Sequence, residues 1–471
     1  MTEPRAAATP GHGSEAGRAV QIRLPDDGPD PVGAPYWILN WGLGVDSTAI
    51  LVRLFQLLEV LDRKGMTGRE RDEALAARLG LPGFRLDRLV VMVALLGSEW
   101  PLTGELAQRE IVPRLARWRI RLVQVARSGP AKADGVTTLD DSTTPTHLHL
   151  EGDYTLFMES VRSGTIPQLG GVRKCSLKHK GEPLDAKVAE IVGGSPFYQI
   201  MGFEAGESSR CDRDARADTA QRTGVYPLRA WGWTREVCER FIRRRIGVHW
   251  PKSACLFCVF ALASEAGRER VLRMLAAAPE LAWEPLLMER IAVTLNPTQT
   301  LMADGSLHDL MQERGLHRAL EMFEARVEAM DWSLVEVRRP MNAQDGDSFR
   351  RGGTARDLTV HRTGPRAAML AALGELAAVG HRDAHRSVPA DPRYPRVWLH
   401  PRAATFPTLD HLFAVVPAYV ATKQAPAFPK LWAAVTAATG YRPPALPGVG
   451  RDEQTDLLAG TASANAVPAT S

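Results

Sequence analysis

The run Gly42-Leu43-Gly44-Val45-Asp46-Ser47-Thr48 follows a short apolar stretch, Tyr36 to Leu39, and leads into an amphipathic one, Ser47 to Leu61. A strand that turns through glycines into a helix aims free backbone amides and the helix dipole at one spot, which suits a phosphate. Asp46 or Ser47 is placed to cap that helix. The run is not a Walker loop, which needs Lys before its last Ser or Thr. Nor is it a dinucleotide fingerprint, which wants glycine where Ser47 stands. A plain glycine turn with a capping Asp also accounts for it. Gly97-Ser98-Glu99-Trp100-Pro101-Leu102-Thr103 comes directly after a second apolar run, Leu89 to Leu96. In an open α/β sheet the carboxyl ends of neighbouring strands form the ligand crevice, so Glu99 would stand beside the first loop. Its plain alternative is a proline turn with an exposed Glu.

Cations follow. In Arg173-Lys174-Cys175-Ser176-Leu177-Lys178-His179-Lys180-Gly181-Glu182-Pro183, Arg173 and Lys180 are suited to phosphate oxygens, the first by a planar fork and the second as a point charge. A solvated basic stretch with an incidental cysteine fits as well. Gly202-Phe203-Glu204-Ala205-Gly206-Glu207-Ser208-Ser209-Arg210 adds Arg210, or is a capped helix start with a surface Arg. Arg243-Arg244-Arg245, with Arg240 and Trp250 nearby, has the make-up of a phosphate-contacting patch and equally of a solvated helix face.

Positioning these runs requires alternating elements. Strands over Tyr36 to Leu39, Leu89 to Leu96, Ile120 to Val125 and Phe197 to Met201 alternate with helical patterns, including Gly104 to Trp118 and Glu182 to Val192. That alternation predicts a mainly parallel α/β sheet. Ser128 to Thr146 is expected as a loop. The expected domains are a disordered leader over 1–33, a nucleotide-binding domain over 34–260, a helical extension over 261–331, a small C-terminal module of unknown type over 332–447 and a disordered tail over 448–471.

Taken together and in this order, the runs resemble the PP-loop superfamily, and within it the phosphoadenosine phosphosulfate (PAPS) reductase-like family. The first is similar to the S-G-G-x-D-S pyrophosphate loop, with Gly42 for the first Ser and Leu43 for the first Gly. The others match G-x-E-x-P-x-T, R-x-C-[ST]-x-x-x-K-x-x-P and a glycine with E-S-x-R. Tyr226-Pro227-Leu228 with Trp231 matches Y-P-L-x-x-W, which the family follows with a helix and a C-x-x-C. Leu95 and Leu96 replace an Asp-Thr pair that the family usually carries.

The resemblance implies a doubly wound, mainly parallel sheet of the adenine nucleotide alpha hydrolase-like kind. It also implies ATP, with Mg2+, held by Gly42, Gly44, Asp46, Ser47, Thr48, Glu99, Arg173, Lys180, Gly202, Glu207, Ser208 and Arg210. The implied chemistry is attack on the α-phosphate of ATP, adenylylating an acceptor, nucleic acid or protein, from which a sulfur donor displaces AMP. Cys175, Cys255 and Cys258 match the cluster-ligand pattern of the DNA phosphorothioation branch, where four cysteines are expected. An iron-sulfur cluster with one open iron, or a zinc completed by His249 or His179, fits that set. Topology allows the three thiols to converge, since both segments can reach the carboxyl edge of the sheet. Sulfonucleotide reduction is the first rival, although no cysteine follows Cys258 to serve as the family's C-terminal nucleophile. A non-catalytic nucleotide-binding subunit of a modification or defence complex is the second.

Composition sets the outer limits. The 471 residues, 45% hydrophobic and 24% charged, are ordinary for a globular protein, and a net charge of +4 neither demands nor excludes a nucleic-acid partner. The longest apolar runs fall short of the roughly 20 residues of a membrane-spanning helix. Five cysteines, two of them in C-x-x-C, suit a reducing cytoplasm.

Overall fold

The computed structural model describes residues 33–169, 173–379 and 391–444. The leader expected over 1–33, apart from Gly33, and the tail over 448–471 lie outside the described residues. The chain divides into two compact units, Met1–Asp153 with Ser176–Ala254, and Tyr154–Cys175 with Cys255–Ser471. Among the described residues no helix is long and apolar enough to cross a membrane.

The first unit is a mixed α/β structure. Its strands are β1 (Tyr36–Asn40), β2 (Leu89–Ala94), β3 (Arg121–Arg127), β4 (Val136–Ser142), β5 (Phe197–Ile200) and β6 (Arg222–Val225). Their order is β4-β3-β2-β1-β5-β6, and only β4 runs antiparallel to its neighbour. Continuous apolar strands such as Leu-Val-Val-Met-Val in β2 demand cover on both faces. Trp37 and Leu39 of β1 enter one core with residues of the helix Val45–Asp62, here α1, while Ile38 packs with Val188 and Val192 of the helix Glu182–Val192 in another. From β1 the chain steps outward to β2 on one side and later returns to β5 on the other.

The expected loop over Ser128 to Thr146 is corrected by β4, a half-exposed edge strand. Asp141 holds Arg121 of β3 through two bonds of 2.7 and 2.8 Å, so polar cross-strand pairing replaces the apolar alternation that announces an interior strand. The expected helix over Gly104 to Trp118 is interrupted by a π-helical turn, Ala107–Ile111, just before Pro113, and a second such turn, Leu177–Gly181, stands just before Pro183. Proline has no N–H to continue the ladder of hydrogen bonds, and a widened turn upstream accommodates that loss.

The second unit combines helices, among them Leu156–Ser163, Trp283–Leu295 and His317–Glu328, with an antiparallel sheet. That sheet comprises β7 (Asp331–Gln344), β8 (Asp347–Thr354), β9 (Asp357–Pro365), β10 (Arg396–His400), β11 (Thr408–Pro417) and β12 (Lys423–Gln424). Apart from Asp331, it lies within the segment 332–447 expected as a small module of unknown type. The order is β10-β11-β7-β9-β12, with β8 on β7, and every residue of β11 is buried.

Candidate functional site

Gly44 forms the start of α1, and no side chain caps it; Asp46 and Ser47, expected as caps, lie inside the first turn. The amides of Val45, Asp46 and Ser47 precede the first bond of the helical ladder, which runs from Thr48 N to Gly44 O at 3.1 Å. The loop ahead of them is tightly held. Ser47 Oγ accepts from Gly42 N at 3.2 Å, Ser253 Oγ donates to Gly42 O at 3.0 Å, and Trp250 Nε1 donates to Leu43 O at 2.9 Å. Thr48, expected to contact phosphate, is fully buried and accepts from Trp41 Nε1 at 3.0 Å, so its hydroxyl braces the loop from within the core. Trp250, noted beside the basic run, is likewise wholly buried. Leu43 carries a φ of +57°, a left-handed conformation that glycine adopts without penalty and leucine does not.

The loop after β2 repeats that strain, with Gly97 at φ +77° and Ser98 at +58°. Strained backbone of this kind persists only where surrounding structure enforces it, and it gathers at functional sites. The loop after β5 approaches α1 from the opposite side. A Cβ on Gly202 would lie 2.8 Å from Ser47 N and 2.9 Å from Ser47 Cα, so only glycine permits the approach. Asn40 Nδ2, at the end of β1, reaches Met201 Sδ at 3.4 Å. Gly42, Leu43, Leu95, Leu96, Gly97, Glu99, Leu150 and Lys180 line a small open cleft at the carboxyl ends of β1 and β2. Three of the residues expected from sequence, Gly42, Glu99 and Lys180, thus share one cleft, and Lys180 stands on the π-helical turn Leu177–Gly181.

Electrostatics set this edge apart. Asp46 Oδ2 is paired with Arg235 at 2.6 Å, while Asp46 Oδ1 is buried without a partner. Burial raises the Asp46 carboxyl, Arg235 opposes the rise, and Glu207 and Glu204 add to it, so that it is pushed up to about 6. Glu207 pairs through Oε1 with Arg210 at 2.6 Å, and the Arg210 guanidinium also lies 4.3 Å over the Phe203 ring. Ser208 opens the exposed helix Ser208–Ala215 beside them. Asn40 Oδ1, Asp46 Oδ1, Ser98 Oγ, Thr103 Oγ1 and Glu207 Oε2 are all buried without a hydrogen-bond partner. Such atoms are uncommon in folded proteins, and here five occur at the carboxyl ends of β1, β2 and β5 and the helix starts that follow. Arg235, Asn40 and Ser253 were not singled out from the sequence, and Ser98 and Thr103 stood only as members of the run Gly97 to Thr103, without a role assigned; the adjacent Gly97 hinted at Ser98, and Gly42, two residues on, at Asn40.

Arg173 and the three expected metal ligands belong to the second unit. The Arg173 guanidinium lies 4.2 Å over the ring of Phe260, which brings the segment bearing Cys175 to the one bearing Cys258. Cys175, Cys255 and Cys258 are partly exposed, but among the described residues no three His, Cys, Asp or Glu side chains are gathered so as to hold a metal ion. Cys211 and Cys238 are buried in the first unit. Burial raises both thiols, Cys238 to about 12, which disfavours a thiolate.

Comparison of the chain with family models, with curated proteins and with solved structures finds no match.

Proposed function

We propose that the first unit is a doubly wound, adenine nucleotide alpha hydrolase-like domain of the PAPS reductase-like kind, and that it binds ATP and acts on the α-phosphate. The observation that carries this reading is the set of five unpartnered polar atoms along the carboxyl edge from which α1 starts, where β1 leads on to β2 on one side and β5 to β6 on the other. Ligands of open α/β sheets bind at such a reversal. Hydroxyl and amide oxygens without partners supply contacts that a nucleotide would complete.

In the proposed step a nucleophile on the acceptor attacks the α-phosphorus and passes its proton to water. The bond from that phosphorus to the oxygen bridging the β-phosphate breaks, and pyrophosphate leaves with the electron pair. The amides of Val45, Asp46 and Ser47 and the ammonium of Lys180 stabilise the charge that gathers on the leaving group, which requires no general acid. Arg210, held at the rim by Glu207, adds a further cation. Mg2+ bound with ATP takes few protein carboxylates. Asp46 and Glu207, each with one unpartnered oxygen, are the residues that would hold it.

Displacement of AMP by a sulfur donor is the continuation that the family resemblance implies. Calorimetric titration with MgATP, followed by assay for released pyrophosphate with nucleic-acid and protein acceptors, tests the reading. Saturable binding that weakens at least about tenfold in Ser47→Ala or Asp46→Ala supports it. Binding without pyrophosphate release under any condition would assign the chain to a non-catalytic subunit, and absence of binding would reject the nucleotide site.

A further inference from the structure

The helix Arg235–Ile246 carries five arginines against two glutamates and packs on α1. Its inner face is apolar, with Cys238 and Ile242 buried, while Arg240, Arg243, Arg244 and Arg245 are exposed. Elsewhere in the same unit arginines are matched by acids: Arg121 with Asp141, Arg127 with Glu182, Arg222 with Asp214 and Arg229 with Asp212. Among the described residues none of the four exposed arginines on this helix forms an ion pair with a carboxylate, and the same holds for Arg53 of α1 and Arg78 of the helix Gly68–Leu79, which also packs on α1. Burial lowers the Arg53 guanidinium, and the positive charges of Arg245 and Arg78 lower it further. Like charges from three helices are thus left facing one another, an arrangement that an external polyanion relieves.

We propose that this face, formed by Arg240, Arg243, Arg244 and Arg245 with Arg53 and Arg78 beside them, docks the phosphodiester backbone of a nucleic acid. Planar guanidinium forks suit phosphate oxygens, and phosphate contacts of this type position a protein on nucleic acid without reading its sequence. A bilayer surface is a poorer match. Membrane-surface helices pair their basic face with exposed large apolar side chains, and those found among the described residues, Leu102, Leu169, Leu177, Met322 and Phe349, lie on none of the three helices. The same helix begins at Arg235, which grips Asp46 of the phosphate loop, and Arg244 lies about 14 Å along the axis from it. A backbone held there stands within a short reach of the proposed nucleotide site, so the docked strand is the acceptor; that role rests on the ATP reading, whereas the docking itself does not.

Fluorescence anisotropy with short labelled single-stranded DNA, duplex DNA and RNA tests the inference in the full-length protein between about 50 and 200 mM salt. The intact protein is expected to bind at least one of these with a steep salt dependence. The Arg240→Ala/Arg243→Ala/Arg244→Ala variant is expected to bind at least about tenfold more weakly and to lose about 2 to 3 from the log-log salt slope. All three side chains are exposed, and an unchanged MgATP titration in the variant confirms that the unit remains folded. No binding to any of the nucleic acids, or equal binding by the variant, would overturn the proposal. So would equally tight, arginine-dependent binding to phosphatidylserine vesicles, which would assign the face to a membrane. Nucleic-acid binding by a protein that binds no ATP would leave the docking surface standing and reject the nucleotide reading alone.

Discussion

Glu336 on β7 and Asp46 on α1 are both acids drawn out of water, and their surroundings drive them in opposite directions. Burial raises each. At Glu336 the hydrogen bonds with His361 Nε2 at 2.9 Å and His411 Nε2 at 2.7 Å outweigh burial and hold the carboxyl far below the usual range. His411 is braced in turn by Tyr441 at 2.8 Å, and on the neighbouring strand Asp410 lies between Arg339 and Arg402, each at 2.9 Å. At Asp46 a single arginine opposes burial and two further acids, and one oxygen remains without a partner. The antiparallel sheet thus pairs Glu336 and Asp410 where they stand, as a scaffold does, whereas the parallel sheet leaves Asp46 short of a partner at its carboxyl edge. Unmatched polar groups that lower stability persist where a ligand makes use of them.

The largest expected effect tests the matched side. Glu336→Ala leaves His361 and His411 without their common acceptor, and each lost hydrogen bond to a charged group costs about 1.5 to 3 kcal/mol. Denaturant unfolding at neutral pH should show that loss, and a change below about 1 kcal/mol would mean that the pairing contributes little. The pH dependence has a definite sign. A carboxyl depressed in the folded state adds stability above its unfolded value, about 4.3, and that stability is lost as pH falls below it. Glu336→Gln should therefore flatten the acid limb of the stability curve.

Asp46→Asn should act the other way. Its folded value near 6 stands above the unfolded 3.8, so its stabilising contribution is complete below 3.8 and disappears as pH rises through 6. Removing the charge at pH 7 should raise stability, by on the order of 1 to 3 kcal/mol, and flatten the curve between those two values. The same variant should bind MgATP at least about tenfold more weakly. A variant that gains stability and keeps full affinity would identify Asp46 as a buried acid without a ligand.

Much of this site was legible because apolar runs end at glycines: Leu39 before Gly42, Leu96 before Gly97 and Met201 before Gly202. What those glycines and their neighbours do was not legible, since it depends on contacts made far along the chain. Gly202 is required by the backbone of Ser47, and the loop carbonyls are held by Trp250 and Ser253, more than two hundred residues away. Asp46 and Ser47 read as caps because capping is a local pattern, yet the helix starts at Val45, one residue earlier than Asp46. Arg235 gives no local sign of its role, which arises only because its helix packs on α1. β4 escaped detection because an exposed edge strand lacks the apolar alternation that identifies one.

Gly202→Ala tests whether the two loops must approach each other so closely. The added methyl would meet backbone atoms of Ser47 at 2.8 and 2.9 Å, and backbone cannot turn aside as a side chain can. A loss of about 1 to 3 kcal/mol is expected, as for overpacking elsewhere. The displaced amides of α1 should also weaken MgATP binding severalfold in a titration. Full affinity with reduced stability would show that this contact is structural and that the nucleotide does not depend on it.

The smallest effect, and the finest test of the contrast, is Ser98→Gly. Ser98 has a φ of +58° and a buried hydroxyl without a partner, so two unfavourable features coincide in one side chain. A left-handed conformation costs a non-glycine residue about 1 to 2 kcal/mol, and an unpartnered buried hydroxyl about 1 to 3 kcal/mol. Against these, glycine gives the unfolded chain more freedom, a loss of about 0.5 to 1 kcal/mol. The balance predicts a variant more stable than the parent by at least about 1 kcal/mol in the absence of nucleotide. Saturating MgATP should reverse the order. If the nucleotide supplies the hydroxyl's missing partner, the parent gains that bond on binding and the variant cannot, so the ligand-induced rise in Tm should be smaller in Ser98→Gly. A variant that is less stable without ligand would mean that the Ser98 hydroxyl is already satisfied in the folded chain, and the case for a ligand-completed edge would have to rest on the remaining atoms around Asp46.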